Sequence, residues 1–527
     1  NSARISTVRQ KIPKEQAIRN RINKFDQNSL LNLFISALHQ SNLQPTSDFL
    51  QLPHVYNLAI EWTLGSKSYS GRQAASRRDA AEILELIWLY QSAAVRINDI
   101  GPLNLKLRAL FIPQLIYQSD LKSFYYNHIR FKRVIDADDY NGEVFRKSFL
   151  QLTDVDIDIF FEISFSICVY SMKSGRRGLK FSDLIMRLTP EYALKDIAKT
   201  IRFVSKSVDE LRELVTKDHP NAYFKESLLF EYPLILLEDK VVNTHVITIL
   251  KAISEIFIRR VARREQTLNS SFTKCFERYV SRLHEELSFQ VLNEREILDV
   301  YVNNKIPNGN KVSDFLIKDG DCSVFVDAKG VEPRNNVLYG IKKYHITKKI
   351  EKHHVYAVKQ IIETIDALQN CHFSELKPIE SRFGIVVTAL DFYLGTGESF
   401  FTKIEEKTRH DLEERAKGKI FIENLHFLSL GQYEQLLTFV KNTGTTIHEY
   451  LSYVSRQEKD DATRCMIYEQ YISYYAKRFG KDVRLPNGSP STIEQFNGIL
   501  IPDEYTVNLT RTVLVDAEPS TQSVGVC

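Results

Sequence analysis

Cysteine is scarce and scattered: six residues in 527, with no Cys-x-x-Cys pair. The adjacent Cys371-His372 is the nearest thing to a metal-ligand spacing and cannot make a tetrahedral site alone. That leaves neither a zinc module nor a disulfide framework, and it suits a reducing compartment such as the cytoplasm. Long apolar runs are also missing. No stretch of about 18 apolar residues would span a membrane. The nearest, Ile157 to Tyr170, is interrupted by Asp158 and Glu162 and reads as a buried helix. Residues 1–24 contain no apolar region of the secretory kind. There is no Gly-x-x-x-x-Gly-Lys-Ser/Thr loop, which excludes a nucleotide-driven motor, and no Gly-x-Ser-x-Gly elbow or His-Glu-x-x-His helix. Gly395-Thr-Gly397 is too short to cradle a phosphate by itself. Nor is there a bulk excess of one charge: 70 basic side chains stand against 66 acidic ones, a net +4.

What is present is an ordinary globular composition, 43% hydrophobic and 26% charged, long enough for two or three cores. Residues 1–265 read as almost wholly helical, from apolar spacing such as Ser29 to Leu38 and Asp79 to Leu89. Thr189-Pro190-Glu191 predicts a helix start, followed by a seam at Leu194, Ile197, Ile201, Val204, Val208, Leu211 and Val215. Such a stripe either zips two subunits into a homodimer or packs one helix within its own domain. A further helix is predicted from Val242 to Arg264, ending in Arg259, Arg260, Arg263 and Arg264, which either suit the helix dipole or line a nucleic-acid channel.

Charge is more informative by position than in total. Residues 1–24 hold seven basic side chains against Glu15 alone, the pattern of a solvated face. Residues 328–360 hold eight, among them Lys342, Lys343, Lys348, Lys349 and Lys352, against Glu332 and Glu351. A phosphate-binding stripe is the expectation there.

The stretch Lys311-Val-Ser-Asp-Phe-Leu-Ile-Lys-Asp-Gly-Asp-Cys-Ser-Val-Phe-Val-Asp-Ala-Lys-Gly330 predicts a β-hairpin, turning at 318–321. Asp327 and Lys329 lie two apart on its second arm and so share a face, with Ala328 on the other. Burying a carboxylate and an ammonium at the end of so apolar a strand is costly unless each has a partner. A divalent metal and a phosphate would supply both.

Around the hairpin the elements run in a defined order. A helix from Phe272 to Phe289 carries Glu277, a strand is predicted at Ile297 to Val302, and the hairpin follows a loop at 303–310. Then come a helix from about His353 to Asn370 with Gln360 in its middle, a buried strand from Phe383 to Leu390 and a charged helix at 400–418. A strand from Leu425 to Leu430 and a helix from Gly431 to Val440 complete the unit.

Asp314, then Asp327-Ala-Lys329 thirteen residues on, after a helix bearing Phe276-Glu277-Arg-Tyr-Val280, resembles the PD-(D/E)XK nuclease superfamily over roughly residues 266–443. The proline that names the motif is absent, since Val312-Ser313 precedes Asp314. The resemblance implies a restriction-endonuclease-like α-β-β-β-α-β core, an α/β unit behind a large mostly helical N-terminal region. It implies a Mg²⁺ or Mn²⁺ ion on Asp314, Asp327 and the backbone carbonyl of Ala328, with Glu277 contacting it directly or through water. Lys329 would orient water or stabilise developing charge, and Gln360 is similar to a helix glutamine near the site in some members. Glu285 and Glu286 are rivals to Glu277 on the same helix.

The expected division is thus 1–265 for recognition, sensing or restraint, 266–443 for the nuclease, and 444–527 for a C-terminal extension. That extension reads as two tyrosine-rich helices at 446–479, then a loop-like tail with one strand at 505–515. The implied activity is metal-dependent hydrolysis of DNA or RNA, tRNA included, in a chain resembling bacterial anti-phage effectors that answer to a phage or regulatory protein. A non-catalytic nucleic-acid-binding or sensor protein with a degenerate core is the alternative. Asp314 and Asp327 paired with Lys311 and Lys329 as strand-end carboxylates would be the structural counterpart of that alternative.

Overall fold

In a computed structural model, residues 13–41, 53–66, 72–96, 103–118, 121–174, 178–216, 226–237, 239–256, 266–306, 312–465 and 467–481 are described. The basic residues before 13, the arginines at 259–264, Lys311 and the tail beyond 481 lie outside them.

Helices dominate, with two small mixed sheets among them. The first sheet corrects the expectation of an almost wholly helical beginning. It comprises β1 (Leu179–Lys180), β2 (Ser205–Ser207), β3 (Leu234–Leu237) and β4 (Lys240–Asn243) in the order β1-β4-β3-β2, with only β2 and β3 parallel. Two predicted helices give way to it. The seam from Leu194 is cut at Val204, because Ser205 turns the chain into β2 and donates its hydroxyl to the Ile201 carbonyl. Ile197, Ile201, Val204, Leu211 and Val215 are buried within the chain's own core, which accounts for the stripe without a second subunit. The helix expected from Val242 begins instead at Val246, since Val242 and Asn243 pair with β3. Thr189-Pro190 starts no helix either. Thr189 closes the Phe181–Leu188 helix, and the next begins at Leu194.

The second sheet comprises β5 (Val291–Asn293), β6 (Phe315–Asp319), β7 (Cys322–Lys329), β8 (Arg382–Thr388) and β9 (Leu425–Ser429), in that order. The pairs β5-β6 and β6-β7 are antiparallel, while β7-β8 and β8-β9 are parallel. Asp319 pairs with Cys322, so Gly320 and Asp321 form a two-residue hairpin turn, and Gly320 takes φ +48°, which glycine adopts without strain. The predicted strand Ile297–Val302 is a helix, Glu294–Asn303. The deciding signals are the reciprocal cap between Asn293 and Glu296 and the burial of Ile297 and Tyr301 four apart, with Leu298 and Val302 exposed.

Both faces of β7 and β8 are covered, which explains their continuous apolar sequences. One face, with Val324, Val326, Ala328, Ile385 and Val387, belongs to a core that runs without interruption from Ile18 to Ala476. Against it lies the Gln266–Glu286 helix, whose Phe272 stacks on Phe131 of the N-terminal helices with centroids 5.3 Å apart. The other face, with Leu316, Phe325 and Val386, packs on Val358, Ile361 and Ile365 of the Tyr356–Asn370 helix. The N-terminal half reaches this side too: Arg108, on the Leu103–Gln118 helix, donates to the carbonyls of Val337, Phe392 and Tyr393.

A buried ionic strut fixes the Gln266–Glu286 helix from behind. Glu434, on the Leu430–Thr443 helix, accepts from Arg130 Nε at 2.9 Å and from the Tyr279 hydroxyl. The C-terminal pair, Ile447–Glu458 and Tyr468–Arg478, forms as expected. Their tyrosines at 450, 453, 468, 471 and 475 are buried, so they serve packing.

Candidate active site

Where β6 begins and β7 ends, the apolar face toward the Tyr356–Asn370 helix turns polar. Asp314 lies immediately before β6 and Asp327 and Lys329 near the end of β7, and antiparallel pairing of Phe315 with Val326 brings the two aspartates side by side. The Asp314 carboxylate accepts the Ala328 backbone N–H at 2.6 Å, pinning it against β7. Asp327 is wholly buried and ion-pairs with the Lys329 ammonium. Beyond that pair, neither of its oxygens has a hydrogen-bond donor among the described residues.

The helix supplies the third side. Gln360 accepts from Lys329 Nζ at 3.2 Å and donates to the Val312 carbonyl at 3.1 Å, so one amide fixes both the lysine and the chain leading to Asp314. Thr364, one turn on, accepts the Ser313 backbone N–H at 2.8 Å. The Tyr356 ring, one turn before Gln360, lies 6.0 Å from the Lys329 ammonium. Sequence reasoning singled out neither Tyr356 nor Thr364. The signal was available, because both lie four residues from Gln360 and therefore on its side of the helix.

Two acids and one ammonium leave an excess of negative charge, and the titration behaviour follows. Burial, then the neighbouring Asp327 charge, pushes the Asp314 carboxyl up to about 8. Burial also raises Asp327, against the opposing pull of Lys329, with Glu277 and Glu294 adding to the rise. Lys329 would be lowered by burial, but the charges of Asp327 and Asp314 outweigh that and raise it, so it is a cation at neutral pH.

Glu277 stands at the rim. It is half-buried and pairs with Lys274 at 2.9 Å, acting on the aspartates through its charge. No group of three or more His, Cys, Asp or Glu side chains is close enough to hold a metal ion among the described residues. The donor set is therefore two carboxylates and backbone, with Glu277 beside it. Its rivals are engaged elsewhere: Glu286 pairs with Arg133 at 3.1 Å and Glu285 with Arg278 at 3.5 Å. Gly330, just past β7, makes the close approach of this helix possible. A Cβ there would come within 2.8 Å of Thr273 Cα.

The basic stripe lies on the next segment, a helix at Lys343–Ile350 followed by a π-helical turn at Glu351–Val355. Ile346, Ile350 and Val355 face inward, while Lys342, Lys348, Lys349 and Lys352 are exposed. None of these four, nor Lys343, ion-pairs with a carboxylate among the described residues. Lys359 leaves the stripe, pairing with Asp411 at 2.7 Å. His353 links stripe to site: its pKa is lowered by burial and then by the charges of Lys329, Arg334 and Lys352.

Elsewhere, Cys168, Cys275, Cys322, Cys371 and Cys465 are free thiols, and no helix among the described residues is long and apolar enough to cross a membrane. Neither a family model, nor a curated protein, nor a solved structure matches this chain, so its functional reading rests on the side chains gathered at Asp327.

Proposed function

We propose that the chain is a metal-dependent nuclease with a restriction-endonuclease-like core, hydrolysing phosphodiester bonds in DNA or RNA. The observation that carries this is the buried Asp327 carboxylate, set beside Asp314, short of donors and matched by a single lysine. Two adjacent acids, both raised first by burial and then by neighbouring negative charge, are a poor structural solution and a good cation site, because a hard cation removes both penalties at once. Asp314, Asp327 and the Ala328 carbonyl would hold Mg²⁺ or Mn²⁺, which when bound supplies charge neutralisation on the phosphate and a more acidic water.

The remaining roles belong to the chain's own groups. Lys329, cationic and steered by Asp327 and Gln360, would contact a non-bridging phosphate oxygen and steady the attacking water. Gln360, which accepts from Lys329 Nζ and donates to the Val312 carbonyl, would orient the ammonium. Glu277 would act through a water at the rim. Lys342, Lys343, Lys348, Lys349 and Lys352, without carboxylate partners, would bind backbone phosphates. The setting we propose is a cytoplasmic effector turned against phage or host nucleic acid, with the helical half serving as its frame.

The test is incubation of the full chain with separate DNA and RNA pools in Mg²⁺, in Mn²⁺ and in EDTA, alongside Asp327→Asn. Cleavage confined to the metal arms and lowered about a thousandfold or more in the variant is expected, given several kcal/mol of metal-dependent stabilisation. Equal cleavage in EDTA, or an unaffected variant, sinks the reading.

A further inference from the structure

Tyr344 is exposed to 51% on the Lys343–Ile350 helix, in contrast to Tyr339 nearby, which is buried against Ile112 and Leu338. Its ring is framed by Lys348 and His345. The Lys348 ammonium, one turn on, donates to the Tyr344 hydroxyl at 3.5 Å and lies 5.7 Å from the ring centroid, and the His345 ring stands edge-on at 5.5 Å. Lys342, Lys349 and Lys352 share the exposed side of this segment, which continues through His353 toward Lys329.

A lysine track alone holds any nucleic acid, because phosphates are the same on one strand or two. A flat aromatic face held open beside that track distinguishes them. In a duplex each base face is covered by its neighbours, whereas an unpaired base offers a free π-face to stack on a side chain. Lys348 holds the ring by its hydroxyl end, and half of the residue stays exposed.

We propose that Tyr344 is a base-stacking platform and that the strand entering this site is single-stranded nucleic acid. The inference rests on the nuclease reading and narrows its substrate class. The sugar is a separate matter, since unpaired DNA and RNA both present phosphates and base faces.

The experiment is fluorescence anisotropy of the full chain in EDTA, where binding is read without turnover. The probes are labelled single-stranded DNA, single-stranded RNA and duplex DNA of equal length and mixed sequence. Wild type should bind one or both single strands at least about tenfold more tightly than duplex, and Tyr344→Ala should remove about a factor of ten from the single-strand affinity, the worth of one stacked base. Tyr344→Trp should restore it, and the duplex affinity should move less than twofold. Lys348→Ala should lower the log–log salt slope on all probes by about one, as a phosphate contact does.

Equal affinity for duplex and single strand, an equal loss by Tyr344→Ala on every probe, or no binding of any probe each overturns the platform. Circular dichroism of every variant identifies a folding defect, and Tyr344→Phe, which keeps the ring and loses the hydroxyl with its Lys348 contact, must bind like wild type. The nuclease reading is judged separately by the cleavage assay. A chain that cuts nothing yet shows the Tyr344-dependent preference loses its catalytic assignment and keeps its ligand. One that cuts duplex and single strands alike keeps the activity and loses the platform.

Discussion

Glu434 and Asp327 are both wholly removed from solvent, yet Glu434 is matched by a guanidinium and a phenol, whereas Asp327 shares one ammonium with a second acid. The first arrangement offsets the cost of burying charge within the chain, so it can act as a strut. The second leaves that cost standing, and such a site persists only because the surrounding sheet and helices over-determine it. Local chemistry, and not depth of burial, separates a structural acid from a candidate functional one.

Breaking the strut should have the largest effect. Glu434→Ala removes the buried carboxylate that Arg130 and Tyr279 share and is expected to cost about 3–5 kcal/mol in urea unfolding at pH 7. A cost under about 1 kcal/mol would erase the contrast between the two acids. Next in size is Gly330→Ala, which leaves both ionic sites intact and drives the Gln266–Glu286 helix off the end of β7. Overpacking of this kind costs about 1–3 kcal/mol. Because the moved helix carries Glu277, Mg²⁺ affinity measured by calorimetry should weaken as well. An unaltered stability and affinity would show that the close approach is not needed.

The smallest effect on stability has the opposite sign. Asp314 binds its proton more tightly in the folded chain than in the unfolded one, so its own contribution to metal-free stability is fully present below the ordinary carboxylate range and is lost as the pH rises through about 8. Asp314→Asn removes this loss. Metal-free, its melting temperature should equal or exceed that of wild type, with the gap widening from pH 6 to pH 9, while Mg²⁺ should stabilise wild type and not the variant. A variant less stable than wild type at pH 9 would make Asp314 a structural acid like Glu434.

The hairpin and its polar end were legible because strand alternation is local: Asp327 and Lys329 two apart must share a face, and the Asp-Gly turn fixes the register. The first strand was misplaced because Ile297 to Val302 is a short apolar run, which periodicity alone does not assign, and the Asn293 and Glu296 cap outside that window signals the helix. The N-terminal sheet was missed because β1 and β2 are two and three residues long and gain their partners from β3 and β4, far along the chain. Glu434 was invisible for the same reason. A buried acid inside a helix looks like any surface glutamate until Arg130 is seen beside it.

The strut also sets an order in time. A ribosome delivers Asp314, Asp327, Lys329 and Gln360 well before Glu434, whose partners Arg130 and Tyr279 were made 304 and 155 residues earlier. A nascent chain therefore holds the polar cluster for a period without the acid that clamps the Glu277 helix behind it. A polypeptide released before residue 434 carries the carboxylates without the acid that joins Arg130 to Tyr279. The hairpin assembles the polar cluster first, and Glu434 joins the helix behind it to Arg130 only afterwards.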